Sequence, residues 1–427
     1  MPKKTITSGR TLPNCFAYRN GELYCEEVSL QQIVQEVGTP VYVYSSRQIL
    51  SHHREFEQAL GKHPHLVCYA VKANSNQEVL RLLARRGAGF DIVSGGELYR
   101  VLQAGGKPSR TVFSGVGKSA EEIDYALRSG ILLFNCESES ELELLNERAA
   151  RLRKKARVAF RVNPDVSATT HPYIATGLEE HKFGIKMAAA EALYRRAKSW
   201  PGIRLAGLSC HIGSQIADLS PFAEAVAKLV QMALRLRQEN LPAEYLDAGG
   251  GLAVAYRPED SPPSIGAYAA CLLDCVKGSG LKLLVEPGRA IVADAGILLA
   301  RVIRVKSNSR KKFVIVDAAM NDLLRPSLYG AYHEVRPVRS QEGTEEVADL
   351  VGPICETGDF LARDRRLPAV QSGDLLAILT AGAYGFVLSS NYNSRPRPAE
   401  VIVEGRRWRI ARRRETFRDL IRGEPRG

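Results

Sequence analysis

Between about residue 40 and residue 287, short apolar runs alternate with stretches of helical period. The runs are Leu66–Val71, Phe90–Val93, Thr111–Phe113, Ile131–Phe134, Val158–Val162, Leu205–Leu208, Tyr245–Asp247 and Leu281–Val285. Strands written as nearly continuous apolar runs are buried on both faces, as in a parallel sheet covered by helices. Segments such as Ser138–Leu152 and Ser220–Glu239 supply the covering helices. Eight strands separated by helices over roughly 250 residues predict an α/β fold, a closed (β/α)8 TIM-type barrel over 39–287. An open doubly wound sheet fits less well, because no Gly-x-Gly-x-x-Gly follows the first run.

Outside that span the rhythm changes. Leu298–Val305, Lys312–Val316, Val335–Val338, Leu375–Leu379 and Pro398–Val403 are strand-like, separated by turns and not by long crossover helices. A second, mostly antiparallel β domain follows. The first 38 residues hold Asn20-Gly21 between short apolar stretches, the signature of a hairpin. Having no barrel helices of their own, residues 1–38 are assigned with 288–427 to the β domain. No internal repeat or low-complexity tract interrupts the pattern.

Composition narrows the class. With 45% hydrophobic and 25% charged residues in 427, the chain is an ordinary soluble globular sequence. No apolar run approaches the roughly 18–20 residues that cross a bilayer. Met1–Thr5 leads into polar residues and not into the apolar core of a signal peptide, so a cytoplasmic location is expected. The net charge is +12, and half of it (11 arginines against 5 acids) falls after residue 394. On charge alone that end resembles a nucleic-acid tail. However, Val401–Val403 and Trp408–Ile410 read as strands and Phe417 and Leu420 as one side of a short helix, so a folded, solvated edge without nucleic-acid binding is the better reading. The eight cysteines form no Cys-x-x-Cys pair. Cys271 and Cys275 could share a helix face, but no histidine is near in sequence to complete a metal set. Most therefore read as small buried apolar residues, and no metal site is predicted.

Chemistry collects at the carboxyl ends of barrel strands, where loops and open backbone groups converge. Lys72 directly follows the first run. Alone it could snorkel, but burial near other cations would make it a Schiff-base nucleophile. His211 ends the sixth run, Asp247-Ala248-Gly249-Gly250-Gly251 the seventh, and Glu286-Pro287-Gly288-Arg289 follows the eighth. Three consecutive glycines expose backbone N–H groups that can cradle a phosphate, and the loops after strands seven and eight are a recurrent phosphate site in barrels. An imine-forming lysine, a phosphate cradle and an acid to keep a ring nitrogen protonated point to pyridoxal 5′-phosphate.

From Gly38–Tyr44 to Arg414–Thr416 the chain resembles the diaminopimelate decarboxylase family, fold-type III pyridoxal-phosphate enzymes of the alanine-racemase-like barrel group. The resemblance rests on nine blocks in order: Tyr69–Asn74, Phe90–Leu98, His171–Gly177, Lys182–Ile185, Cys210–Gln215, Asp247–Leu252, Glu286–Arg289, Gly352–Asp359 and Gly382–Gly385. It implies that Lys72 carries the cofactor, that His211 stacks on its ring, and that Glu286 pairs with the pyridine nitrogen. Ser214, Gly250, Gly251, Gly288 and Arg289 would lie about the phosphate, with Asp91 near Lys72. From the β domain, Arg325 and Tyr329 would grip a substrate carboxylate together with Arg289. Glu356 would face the distal amino group, Tyr384 would touch cofactor and substrate, and Cys355 would be the proton donor.

The implied reaction is decarboxylation of meso-2,6-diaminopimelate at its D-configured centre to L-lysine and carbon dioxide, the last step of lysine biosynthesis. A distal carboxylate calls for a cation and a distal ammonium for an anion, a set that Arg325 and Glu356 could supply. A thiol, with a free pKa of about 8.5, gives up a proton readily near neutrality. Family members pair head to tail, so the resemblance implies a homodimer in which Cys355 and Glu356 act across the interface. A decarboxylase of ornithine or arginine is the nearest rival, but those substrates would leave Arg325 without a carboxylate. The Thr170–Tyr173 block also favours diaminopimelate. A non-catalytic homologue that only holds the cofactor fits poorly with a chain that keeps both Lys72 and Cys355. The arginine-rich last dozen residues and His181 have no role in this reading.

Overall fold

The computed structural model describes residues 15–166, 182–340 and 344–425. The blocks around His171–Gly177 and Thr170–Tyr173, and His181, lie outside the described residues. The chain divides into two compact units: Leu50–Ala253 with Pro262–Ile291, and the described residues of Met1–Ile49, Val254–Ser261 and Val292–Gly427.

The first unit is a closed barrel of eight parallel strands. They run His65–Ala70, Gly89–Ile92, Thr111–Phe113, Leu133–Cys136, Ala156–Asn163, Ile203–Ser209, Tyr245–Asp247 and Lys282–Val285. Each pairs with the next, and the eighth returns to the first through Leu283↔His65 and Val285↔Val67. Their burial is nearly continuous, which is why the sequence shows apolar runs and not alternation. Inside, Leu66 and Cys68, two residues apart on strand one, pack with Val112, Leu133, Ala159 and Leu284.

Helices start just past the strand ends, and their caps fix the loops there. Ser94, Ser119 and Ser138 each accept a hydrogen bond from the backbone N–H three residues on, and Asn76 caps the helix after the first strand. Such caps stabilise a helix by about 1 kcal/mol each and hold the connecting loops in one geometry.

The second unit is mostly antiparallel. Gly296–Ser307 is its central strand, pairing antiparallel with Lys312–Val316, Leu375–Ile378 and Val41–Ser45. Two pairs are parallel: Lys312–Val316 with Glu345–Val351, and Val41–Ser45 with Ala399–Glu404. Val41–Ser45 is as buried as a barrel strand but belongs to this sheet. Asn20-Gly21 does turn a hairpin, between Phe16–Arg19 and Glu22–Cys25, with φ of 51° and 77° as a two-residue turn of this type requires. The arginine-rich end is folded: Arg407–Arg412 pairs with Ala399–Glu404, and Phe417–Leu420 is a short helix.

Candidate active site

A cavity of about 350 Å³ opens at the carboxyl ends of the barrel strands, lined among others by Lys72, Asn135, Arg161, Ser209, His211 and Glu286. The size suits a small organic ligand. Lys72 lies in a single helical turn, Val71–Ala73, directly after strand one. Its Nζ stands 3.0 Å from Oδ2 of Asp91, a fully buried residue of strand two. Asp91 is shut off from water while Lys72 is about a third exposed, so removing Lys72 would leave the buried carboxylate without its ion-pair partner.

Around Glu286 the site holds more acid than base. Ser114 Oγ and Asn135 Nδ2 approach its Oε1 at 3.2 Å and 3.3 Å, and the same Asn135 amide donates to Asp247 Oδ2 at 2.9 Å. Glu286 and Asp247 also hydrogen-bond to each other, which requires one proton between two carboxyls. Burial, with the charges of Asp247 and Asp91, pushes Glu286 well above the usual carboxylate range; Lys72 opposes the shift without cancelling it. Burial raises the Asp247 carboxyl as well, so the pair favours one held proton over two bare charges, with Glu286 shifted the further.

His211 is the converse case. Burial, followed by the charges of Arg161 and Lys72, holds its imidazole well below the ordinary histidine value, so the ring is neutral. Gly250 N–H donates to its Nδ1 at 3.2 Å, which makes Nδ1 the acceptor and leaves the ring proton on Nε2. Arg161 is itself held by Glu137 at 2.9 Å and stacks 4.8 Å from the Phe183 ring.

The triple glycine packs closely. A Cβ on Gly250 would lie 2.3 Å from Glu286 O, and one on Gly251 2.4 Å from Gly213 O. Two of the three amides offered to a phosphate are engaged within the chain, since Gly249 N–H donates to Asp247 Oδ1 and Gly250 N–H to His211. Nearby, Arg289 Nη2 donates to Ser214 Oγ at 3.1 Å, with Gly288 packed against Ala70 and Ala73. A polar ligand fits this wall. Among the described residues Ser209 Oγ and Asn135 Oδ1 line the cavity buried and without a hydrogen-bond partner, a state that costs about 1–3 kcal/mol per group until a partner arrives.

In the second unit the remaining candidates form two groups. Arg325 opens the short helix Arg325–Tyr329 and is only 7% exposed. Its Nη1 is 2.9 Å from His333 Nε2, and its guanidinium stacks 4.5 Å from the Tyr256 ring. Tyr329 is half-buried at the other end of that helix. The second group is the loop carrying Cys355 and Glu356, both exposed. Asp359 pins this loop by accepting from Met320 N–H and Ile354 N–H at 2.7 Å and 2.8 Å. Asn393 Oδ1 accepts from Cys355 N–H at 2.8 Å, and Tyr392 hydrogen-bonds the Glu356 carboxylate. Tyr384 sits at φ 55°, a left-handed conformation that costs a bulky residue about 1–3 kcal/mol and persists only where the surroundings enforce it.

Sequence reasoning missed Ser114, Asn135 and Arg161, which line the cavity, Asp247, which accepts from Asn135 behind it, and Tyr392 and Asn393, which hold the Cys355–Glu356 loop. The first four had a signal. Ser114 and Asp247 are polar residues at the ends of apolar strand runs, and Asn135 and Arg161 are single polar residues inside them, as in Phe134-Asn135-Cys136 and Phe160-Arg161-Val162.

Residues 46–293 match the family model described as "Pyridoxal-dependent decarboxylase, pyridoxal binding domain". The chain is 54% identical to a diaminopimelate decarboxylase of Pseudomonas aeruginosa over 409 residues, covering 96% of this chain and 98% of that protein. Among solved structures it is similar to the diaminopimelate decarboxylase of Helicobacter pylori complexed with L-lysine, with TM-score 0.89 and 42% identity over 92% of this chain and 98% of that one. The enzyme of M. jannaschii, also in complex with L-lysine, gives TM-score 0.92 at 36% identity, over 97% of this chain and 98% of that one. The chain belongs to the pyridoxal-dependent decarboxylases, in the diaminopimelate decarboxylase family.

Proposed function

We propose that the chain decarboxylates meso-2,6-diaminopimelate at its D-configured centre, giving L-lysine and carbon dioxide, with pyridoxal 5′-phosphate in the barrel cavity. When bound, the cofactor supplies an aldehyde for condensation with amines and a protonated ring that takes up the electron pair left by carbon dioxide. The observation that carries this reading is Lys72 Nζ, fixed 3.0 Å from buried Asp91 in a cavity it shares with His211 and Glu286.

Each residue has a task that its environment suits. Lys72 Nζ is the amine that would hold the cofactor through its aldehyde. His211, neutral and flat, covers a ring face without adding charge. Glu286 keeps a proton on its carboxyl where the pyridine nitrogen is to be protonated, and Asp247 and Asn135 hold that carboxyl in place. Asp91 orients Lys72. Arg289, Ser214, Gly250, Gly251 and Gly288 surround the phosphate. On the substrate side, Arg325 and Tyr329, with Arg289, take the carboxylate, Glu356 takes the distal ammonium, and Tyr384 orders both cofactor and substrate. Cys355 Sγ delivers the proton to the carbon that has lost its carboxylate.

The working unit is a cytoplasmic homodimer in which the exposed Cys355–Glu356 loop of one subunit serves the barrel of the other. A loop held rigidly by Asp359 and Asn393 while its two reactive side chains face outward supports that arrangement. The reading is tested by mixing purified protein, pyridoxal phosphate and meso-diaminopimelate and measuring carbon dioxide and L-lysine, with ornithine and arginine in parallel. Lysine formation with little turnover of the other two is expected; comparable kcat/KM for ornithine would contradict the substrate assignment.

A further inference from the structure

A second cavity, of about 380 Å³, lies wholly in the β unit and is unlike the first in charge. Its wall includes Arg257, Arg363, Arg365, Tyr332 and Phe360. The guanidinium carbons of Arg365 and Arg257 lie 3.4 Å and 4.5 Å from the centroid of one ring, that of Tyr332. Arg363 stacks likewise on Phe360, at 3.7 Å. A guanidinium that rests its flat face on a ring keeps its N–H donors in its own plane, aimed sideways and free for a forked oxyanion contact. The rings thus act as rigid backing that orients the arginines.

The cations are poorly balanced by the chain itself. Asp364, the acid in the wall, is engaged with Lys311 at 3.1 Å. Among the described residues, the ion-pair partner of Arg257 is the distant, well-exposed Glu259 at 3.9 Å. Among the described residues neither Arg363 nor Arg365 has an ion pair. Burial lowers the pKa of Arg365 and the charge of Arg257 adds to the shift, while Tyr332, Glu334 and Glu259 oppose it without cancelling it.

We propose that this cavity binds a small oxyanion carrying at least two negative charges, a phosphoryl compound or a dicarboxylate. Diaminopimelate itself is a poor candidate, because its two ammonium groups would enter a site lined by three arginines. Pro326 and Gly330 also line the cavity, so an occupant touches the helix that presents Arg325 and Tyr329. Any consequence for substrate binding rests on the functional reading above; the binding itself does not.

The test is calorimetric titration of the substrate-free holoenzyme with pyrophosphate and, separately, with succinate, at ionic strength held constant with sodium chloride. Saturable binding of either anion is expected, and which of them binds identifies the class. The affinity should fall at least tenfold in Arg365→Gln and in the exposed variant Arg257→Gln. Arg365→Lys, which keeps the charge and loses the fork, should fall between. Absence of saturable binding by both anions, or equal affinity in wild type and both glutamine variants, overturns the proposal. The exposed position of Arg257 and the retained cofactor absorbance of each variant keep a folding failure from being mistaken for either result.

Discussion

Replacing Gly250 with alanine adds one methyl group where there is no room for it. Its neighbours Gly249 and Gly251 have φ of 68° and 110°, but Gly250 is outside the left-handed region, so sterics alone decide the effect. The new Cβ would stand 2.3 Å from Glu286 O and 3.1 Å from Glu286 C, where real contacts essentially never fall below 3.0 Å. Strand eight must therefore retreat by several tenths of an ångström. It is not free to do so, because Glu286 N–H donates to Gly249 O at 2.7 Å. Overpacking of this kind costs about 1–3 kcal/mol. If the displacement falls on the Glu286 carboxyl, the same energy lowers cofactor affinity by about 5- to 150-fold. Gly266→Ala is the control. It lies exposed in the helix Ile265–Val276, and its added Cβ would meet only Ser264 Oγ at 3.7 Å. There alanine should stabilise by about 0.5–1 kcal/mol through its better helix propensity. Urea unfolding and titration of the apoprotein with pyridoxal phosphate, followed near 420 nm, measure both quantities. Wild-type stability and affinity in Gly250→Ala, or equal losses in the two variants, would refute the reasoning.

Other outcomes follow from single residues. Asn393→Ala removes the acceptor for Cys355 N–H, so turnover should fall by about tenfold, the equivalent of one hydrogen bond. Cofactor affinity should stay unchanged, and Asn393→Asp, which still accepts, should recover most of the loss; full activity in the alanine variant would count against a positioning role. Asp322 is buried, and its carboxyl is pushed up to about 7, mainly by that burial. Its folded form thus holds a proton that the unfolded chain releases near pH 4, so its contribution to stability is present below pH 4 and is lost as the pH rises to 7. At about 1.4 kcal/mol per unit, Asp322→Asn should gain on wild type by roughly 4 kcal/mol between pH 4 and pH 7, read by urea unfolding across that range. A pH-independent difference between the two proteins would show that Asp322 is ionised throughout.

What the sequence disclosed depended on burial. The barrel strands were legible because both of their faces are covered, so hydrophobic runs mark them to within two or three residues. Val41–Ser45 shows the limit: a fully buried run reports that it is covered, but not which sheet it joins. Glu345–Val351 and Phe360–Pro368 left no clear trace, because exposed and charged positions such as Glu345, Arg363 and Asp364 interrupt them. The site followed the same division. Lys72, His211 and Glu286 stood out as polar residues at strand ends, the last two close to glycines. Asn135 and Arg161 were single polar residues inside apolar runs, whose meaning depends on which strands stand beside them. Asn393 acts through one contact 38 residues away in sequence, which no local pattern encodes.

The account rests on one amine. Treating the cofactor-loaded protein with borohydride and mapping its peptides by mass spectrometry locates the attachment directly. The account predicts one pyridoxyl group per chain on Lys72, and none in Lys72→Ala. A modified lysine elsewhere, or an unmodified Lys72 in protein saturated with cofactor, would contradict it.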